Sequence, residues 1–145
     1  MFEKILYPTD FSDVSKKALD YIKKLKESGA KEVVVLHVFD VRGTEALHRF
    51  MEDSKIEDLK ENRKKEATRL LTPIEKELKE AGLAVKSRIE TGIPVREILR
   101  VEEDEDVSLV VIGSHGMSNL EEMFMGSVSE KVIRKCPKPV LVIKR

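Results

Sequence analysis

Gly113, Gly116 and Gly126 stand with two and nine residues between them, and Ser127 follows the third at once. The run reads Gly113-Ser114-His115-Gly116 and, after Met117 to Met125, Gly126-Ser127-Val128-Ser129. Glycine carries no Cβ, so main chain built from it can come close to a ligand. Small hydroxyl residues opening a following helix add N–H and O–H donors around an anion. Together these residues have the chemistry of a phosphate cradle.

Two further groups fall where such a cradle would use them. Pro8-Thr9-Asp10 follows the first strand pattern, and Val38 to Asp40 closes the second. In an open α/β sheet, ligands sit at the carboxyl ends of strands, where the strand order reverses. An aspartate there can accept hydrogen bonds from ribose hydroxyls, and backbone at the second strand end can meet a base edge.

Each piece also has a plainer reading. A glycine pair after a strand is commonly just a turn. Asp10, ahead of Phe11-Ser12, can serve as a cap for the first helix. His37 falls inside an apolar strand and reads as a hydrogen-bonded core histidine. His115 either meets a phosphate charge or stands in solvent, and His48 reads as surface. Cys136, before Pro137, reads as a small apolar filler, and Met117, Met123 and Met125 as packing residues.

The elements that would position these groups alternate between strand and helix, which predicts an α/β fold with a mostly parallel sheet. Strands are expected at Phe2–Tyr7, Glu32–Phe39, Ala84–Ile89, Val107–Ile112 and Val140–Ile143. Ser12 is placed to cap a first helix that Gly29 ends. The stretch from Val41 to about Lys60 gives an imperfect apolar stripe, so an irregular or mobile helical region is expected there. A firmer helix runs from about Glu57 to Leu71, and Pro73 either restarts it or kinks one long helix, the kink being preferred. A short helix follows Gly92-Ile93-Pro94 and should end within the acidic run Glu102–Asp106, which opposes the helix dipole. A last helix spans about Ser127 to Arg134.

Length and charge bound the rest. The chain has 145 residues, which fits one domain over positions 1–145 with a core of its own. Lys plus Arg and Asp plus Glu number 27 each, a balance that argues against a dedicated nucleic-acid binder. One cysteine excludes an internal disulfide. No apolar run approaches the ~20 residues of a membrane span, and Met1 leads straight into a strand, so the expectation is a soluble, cytoplasmic protein. There is no P-loop pattern, no Gly-x-Gly-x-x-Gly and no Gly-x-Ser-x-Gly. Neither Lys nor Arg lies between Gly113 and Gly126, whereas phosphoryl transfer wants positive charge or a held metal there. Binding is favoured over turnover.

At this point the chain resembles the universal stress protein family, in its ATP-binding branch. The resemblance rests on Lys4–Ser12, on Val34-Val35-Leu36-His37-Val38, on Gly92-Ile93-Pro94, on the complete glycine pattern through Ser129, and on Pro139–Ile143. It implies a Rossmann-like open sheet of five parallel strands, order 3-2-1-4-5, with helices on both faces. It implies that Asp10 holds a nucleotide near ribose and base while Pro8, Thr9 and Val38 line the base pocket. Gly113, Ser114, His115, Gly116, Gly126, Ser127, Val128 and Ser129 are then expected around ribose and phosphates, with Mg²⁺ or Mn²⁺ bridging the latter. It further implies a homodimer through Val140, Leu141, Val142 and Ile143, and a nucleotide-dependent switch read by a protein partner. The rival expectations are a slow ATPase using the same pocket and a structural dimer with an empty cradle.

Overall fold

The computed structural model describes residues 1–115 and 126–145, without the side chains of residues 43 and 44. Gly116, and with it the predicted packing methionines, lies outside the described residues. Strands β1 (Lys4–Pro8), β2 (Glu32–Asp40), β3 (Ala84–Gly92), β4 (Leu109–Gly113) and β5 (Val140–Ile143) form one parallel sheet in the order β3-β2-β1-β4-β5. The predicted order is the observed one.

Successive side chains of a strand point to opposite faces, and that alternation divides the core. Ile5, Tyr7, Val33, Val35, Leu109 and Val111 pack on one side with Leu19 and Ile22 of α1 (Asp13–Leu25). The same cluster takes Leu71, Ile74 and Leu78, on a long helix of residues Asp53–Glu80. Leu6, Val34, Leu36, Val110 and Ile112 face the other way. They pack against Ile98 and Val101, on a helix spanning Pro94–Asp104, and Val132, on one spanning Ser127–Lys135. With a short helix at Val41–Leu47, the helices are α1 to α5 in chain order: α2 is Val41–Leu47, α3 Asp53–Glu80, α4 Pro94–Asp104 and α5 Ser127–Lys135.

Local signals act much as expected. Ser12 is the N-cap of α1, its Oγ accepting from Ser15 N–H at 3.2 Å. α4 stops inside the acidic run, and Asp106 turns the chain with φ 47°. Several boundaries differ, among them β1, which starts at Lys4 and includes Pro8, and β4, which starts at Leu109. The stretch expected to be irregular contains α2 and, from Asp53, the first turns of α3. As preferred, α3 runs through Pro73 as one long helix, and the proline does not restart it. β3 continues to Gly92, because Glu90, Thr91 and Gly92 pair with Val38, Phe39 and Asp40 of β2.

The amino ends of the strands are tied by charge. Glu105, with its side chain 7% exposed, lies 2.7 Å from Lys86 Nζ, 3.2 Å from Lys4 Nζ and 3.1 Å from Arg88 Nη1. The Lys86 hydrogen bond is the largest of the effects that hold its pKa down to about 2. No helix among the described residues is long and apolar enough to cross a membrane.

Candidate functional site

The strand order reverses between β1 and β4, the position where an open α/β sheet opens a crevice at its carboxyl ends. A cavity of about 610 Å³ lies there. Volumes of ~300–1,000 Å³ accommodate small-molecule ligands. Pro8, Thr9 and Asp10 line it from the end of β1, and Leu36, Val38 and Asp40 from one face of β2. Pro94 and Ile98 of α4, Ser15 of α1, and Ile112, Gly113 and His115 supply further wall. Gly126, Ser127, Val128 and Ser129 close it with the start of α5.

Hydrogen bonds extend the sheet into this wall. Thr9 N–H donates to the Leu36 carbonyl at 2.8 Å, and Ser114 N–H to the Ile143 carbonyl at 2.8 Å. Gly126 N–H donates to the Ser114 carbonyl at 2.7 Å, joining the start of α5 to the end of β4. Ser129 Oγ donates to the Gly113 carbonyl at 2.6 Å, fastening α5 to the end of β4.

The two ends of the cavity differ in electrostatic character. Gly126 is the N-cap of α5 and offers no side-chain cap, so the N–H groups of the first turn carry the positive end of the helix dipole towards the lining. Ser127 stands in that turn, with buried Ser129 behind it. At the β1–β2 end stand two carboxylates. Asp10 Oδ1 accepts from Ser12 N–H at 2.9 Å. Asp40 takes the Arg42 guanidinium, Nη2 to Oδ2 at 2.6 Å and Nε to Oδ1 at 2.9 Å, and these bonds lower its pKa and keep it ionised. Between the two ends the wall is apolar, formed by Leu36, Val38, Ile98 and Ile112.

His115 is buried against this lining, with Nδ1 2.7 Å from Ser114 Oγ. Its Nε2 is also buried and has no hydrogen-bond partner among the described residues. A buried polar atom without a partner costs free energy, so an acceptor or donor arriving in the cavity would relieve it.

Ten of the predicted residues share this cavity: Pro8, Thr9, Asp10, Val38, Gly113, His115, Gly126, Ser127, Val128 and Ser129. Ser114 is buried beside His115 and is not part of the lining. Gly113 has a different reason to be glycine from the one its spacing suggests. A Cβ there would lie 3.0 Å from Val14 Cγ1 and 3.3 Å from Ser15 N, so the vacant space is filled by the start of α1. Asp10 makes a local turn with Ser12 N–H, while the helix cap itself is Ser12. Asp40, within the Val38–Asp40 group of the sequence analysis, also lines the cavity, whereas Ser15, Leu36, Pro94, Ile98 and Ile112 were not assigned to the site. The strict inward alternation of Leu36, Val38 and Asp40 was the one available signal. His37 is hydrogen-bonded inside the fold as expected, its Nδ1 2.8 Å from the Thr9 carbonyl oxygen. His48 is partly exposed on the surface, and Cys136 packs at the edge of the α4–α5 core, where burial raises its thiol pKa.

This doubly wound sheet, with a cavity at its switch point, defines a Rossmann-like α/β protein, and comparison with known proteins narrows the class. The model of the universal stress protein family matches residues 1–144. Universal stress protein MJ0577 of Methanocaldococcus jannaschii is 43% identical over 157 residues, covering all of this chain and 96% of its own. Its solved structure superposes with a TM-score of 0.91 at 44% identity, covering 100% of this chain and 97% of that one. Universal stress protein YxiE of Bacillus subtilis is 34% identical over 152 residues, covering 99% of this chain and all of its own. The chain belongs to the universal stress protein family.

Proposed function

We propose that this protein binds ATP in the cavity at the carboxyl ends of β1, β2 and β4, and that it works as a nucleotide-dependent switch. One observation carries the reading: the cavity has a donor-rich end and a carboxylate end, joined by an apolar wall. Phosphates belong at the start of α5, where free N–H groups and hydroxyls face them. Asp10 repels them, and Asp40 is already taken by Arg42, so ribose and base belong at the β1–β2 end. There, carboxylates accept from hydroxyl or amino donors, and Val38 and Ile98 flank the ring.

This orientation assigns Gly113, His115, Gly126, Ser127 and Ser129 to the phosphate side and Pro8, Thr9, Asp10 and Val38 to the base and sugar. The resemblance of the glycine pattern to the ATP-binding branch of the family supports the same assignment. Among the described residues no group of three or more His, Cys, Asp or Glu could hold a metal. We therefore read Mg²⁺ or Mn²⁺ as arriving on the phosphates, since Mg²⁺ keeps much of its water and binds substrate phosphates readily.

Among the described residues no lysine or arginine lines the cavity, which favours retention of nucleotide over its hydrolysis. β5 has β4 on one side and is an edge. The half-buried side chains of Val140, Leu141 and Val142 fit pairing with a second copy. The test is to denature purified protein and identify the released small molecule by mass spectrometry, alongside calorimetric titration with Mg-ATP. Released adenine nucleotide and micromolar or tighter binding are expected. Protein that releases none and gives no heat would refute the proposal.

A further inference from the structure

His37 sits on β2 between Leu36 and Val38, on the face turned away from the cavity. Its Nδ1 lies 2.8 Å from the Thr9 carbonyl oxygen. A carbonyl only accepts, so Nδ1 carries the proton and donates. The ring also packs against Phe11, with centroids 4.6 Å apart and an interplanar angle of 32°, and meets Phe39 edge-on at 5.1 Å.

Phe11 has φ 65°, in the left-handed region that a bulky residue adopts only under constraint. Part of that constraint is a chain of hydroxyls beneath the turn. Tyr7 OH donates to the Ser15 carbonyl at 2.6 Å, Ser15 Oγ to Thr9 Oγ1 at 2.6 Å, and Phe11 N–H to Thr9 Oγ1 at 3.0 Å. On the other side stands His37, which offers the turn both a donor for its carbonyl and a ring face for its aromatic. Burial pushes the imidazole below its ordinary pKa, against the opposing pull of the Thr9 bond and the Asp10 charge, so the ring is neutral.

We infer that His37 is a positioning residue for the cavity: by donating to the Thr9 carbonyl, it holds the left-handed turn that presents Thr9 and Asp10 to the ligand. His37 itself does not line the cavity. The nucleotide part of this inference rests on the function proposed above; the clamp itself does not.

The experiment compares His37→Phe, which keeps a ring for the stack and loses the donor, with His37→Asn, whose amide can reach the same carbonyl. Backbone amide exchange of Phe11 and Ser12 is measured by NMR in nucleotide-free protein, and Mg-ATP affinity by calorimetry. In His37→Phe, exchange should rise about tenfold and affinity fall about tenfold, the scale of one hydrogen bond lost from a population that must be competent to bind. His37→Asn should restore both to within about twofold. Unchanged exchange in His37→Phe overturns the clamp whatever happens to binding. So does an asparagine variant that is as impaired as the phenylalanine one, since that marks a packing role. If the wild type binds no ATP, the proposed function fails, and the exchange data still decide the clamp.

Discussion

Gly113→Ala separates two readings of the glycine pattern. If Gly113 were glycine to let a phosphate approach, alanine would cost affinity and leave stability alone. The geometry predicts the reverse. An added Cβ would stand 3.0 Å from Val14 Cγ1, 3.3 Å from Ser15 N and 3.5 Å from the Val14 carbonyl carbon. Two of those atoms are backbone at the start of α1, which Ser12 caps, and Val14 is itself only 4% exposed, so little can move. Overpacking of this kind costs ~1–3 kcal/mol. In a chain of this size each kcal/mol lowers Tm by roughly 2–4 °C, so a fall of about 2–12 °C is expected. Mg-ATP affinity should change by less than about tenfold, under ~1.4 kcal/mol. Adding Val14→Ala removes the nearest contact, and the double variant should recover about 1 kcal/mol relative to the sum of the single changes. Thermal melts without nucleotide and calorimetric titration read the two quantities separately. A Gly113→Ala protein that melts with the wild type and binds ATP far more weakly would refute this account of the residue.

Gly126→Val should abolish nucleotide binding with little change in the far-UV circular dichroism spectrum. Gly126 has φ −61° and ψ 150°, a conformation open to any residue, and it lines the cavity; normal ATP binding by the variant would put the phosphate end elsewhere. Glu105→Gln should cost ~1–3 kcal/mol in urea unfolding at pH 7, because three cations lose their shared carboxylate. With a folded pKa of about 2 against an ordinary 4.5, that contribution is present in full above pH 4.5 and lost as pH falls towards 2; a wild-type advantage that persists at pH 2 would contradict it. His37 titrates in the opposite sense to a salt-bridged histidine. Its folded pKa lies below 6.5, so its contribution is complete above 6.5 and declines as pH falls below that value, a slope that His37→Asn should lack in urea midpoints at pH 7 and 5. Val142→Asp should split the proposed dimer, since a charge would enter a strand pair; a dimer that survives in sedimentation would locate the interface away from β5.

The strands were legible because burial on both faces writes near-continuous apolar sequence. Val33 to Leu36 and Leu109 to Ile112 are buried throughout, as parallel strands covered by helices must be. The start of α3 at Asp53, ahead of the expected Glu57, was harder to read for the complementary reason. Of residues 53–66 only Ile56 is buried, so the helix there rests on good helix formers such as Glu and Lys and leaves little apolar stripe. The end of β3 was missed because Glu90, Thr91 and Gly92 follow β2 by backbone pairing, which has no side-chain signature. In the cavity, glycines and serines gave the proposed phosphate end, whereas Ile98, Ile112 and Leu36 look like any core residue until topology brings them to one cavity. Gly113 shows the limit of a motif: spacing singled out the residue, and Val14 at the start of α1 supplies a reason for it.

β2 shows how such a site and its support arise from one element. Alternation sends Leu36, Val38 and Asp40 into the cavity wall and His37 and Phe39 to the opposite face, where His37 meets the turn after β1. Shifting β2 by one residue would exchange the two sets, putting an imidazole and a phenyl ring into the cavity and leaving the turn unbraced. The nine-residue register with β3 and the five-residue register with β1 oppose that slip. The placement of Thr9 and Asp10 in the cavity wall is therefore tied to pairing across the middle of the sheet. A switch built on this cavity would have its movable parts away from β2, which β1 and β3 brace on both sides.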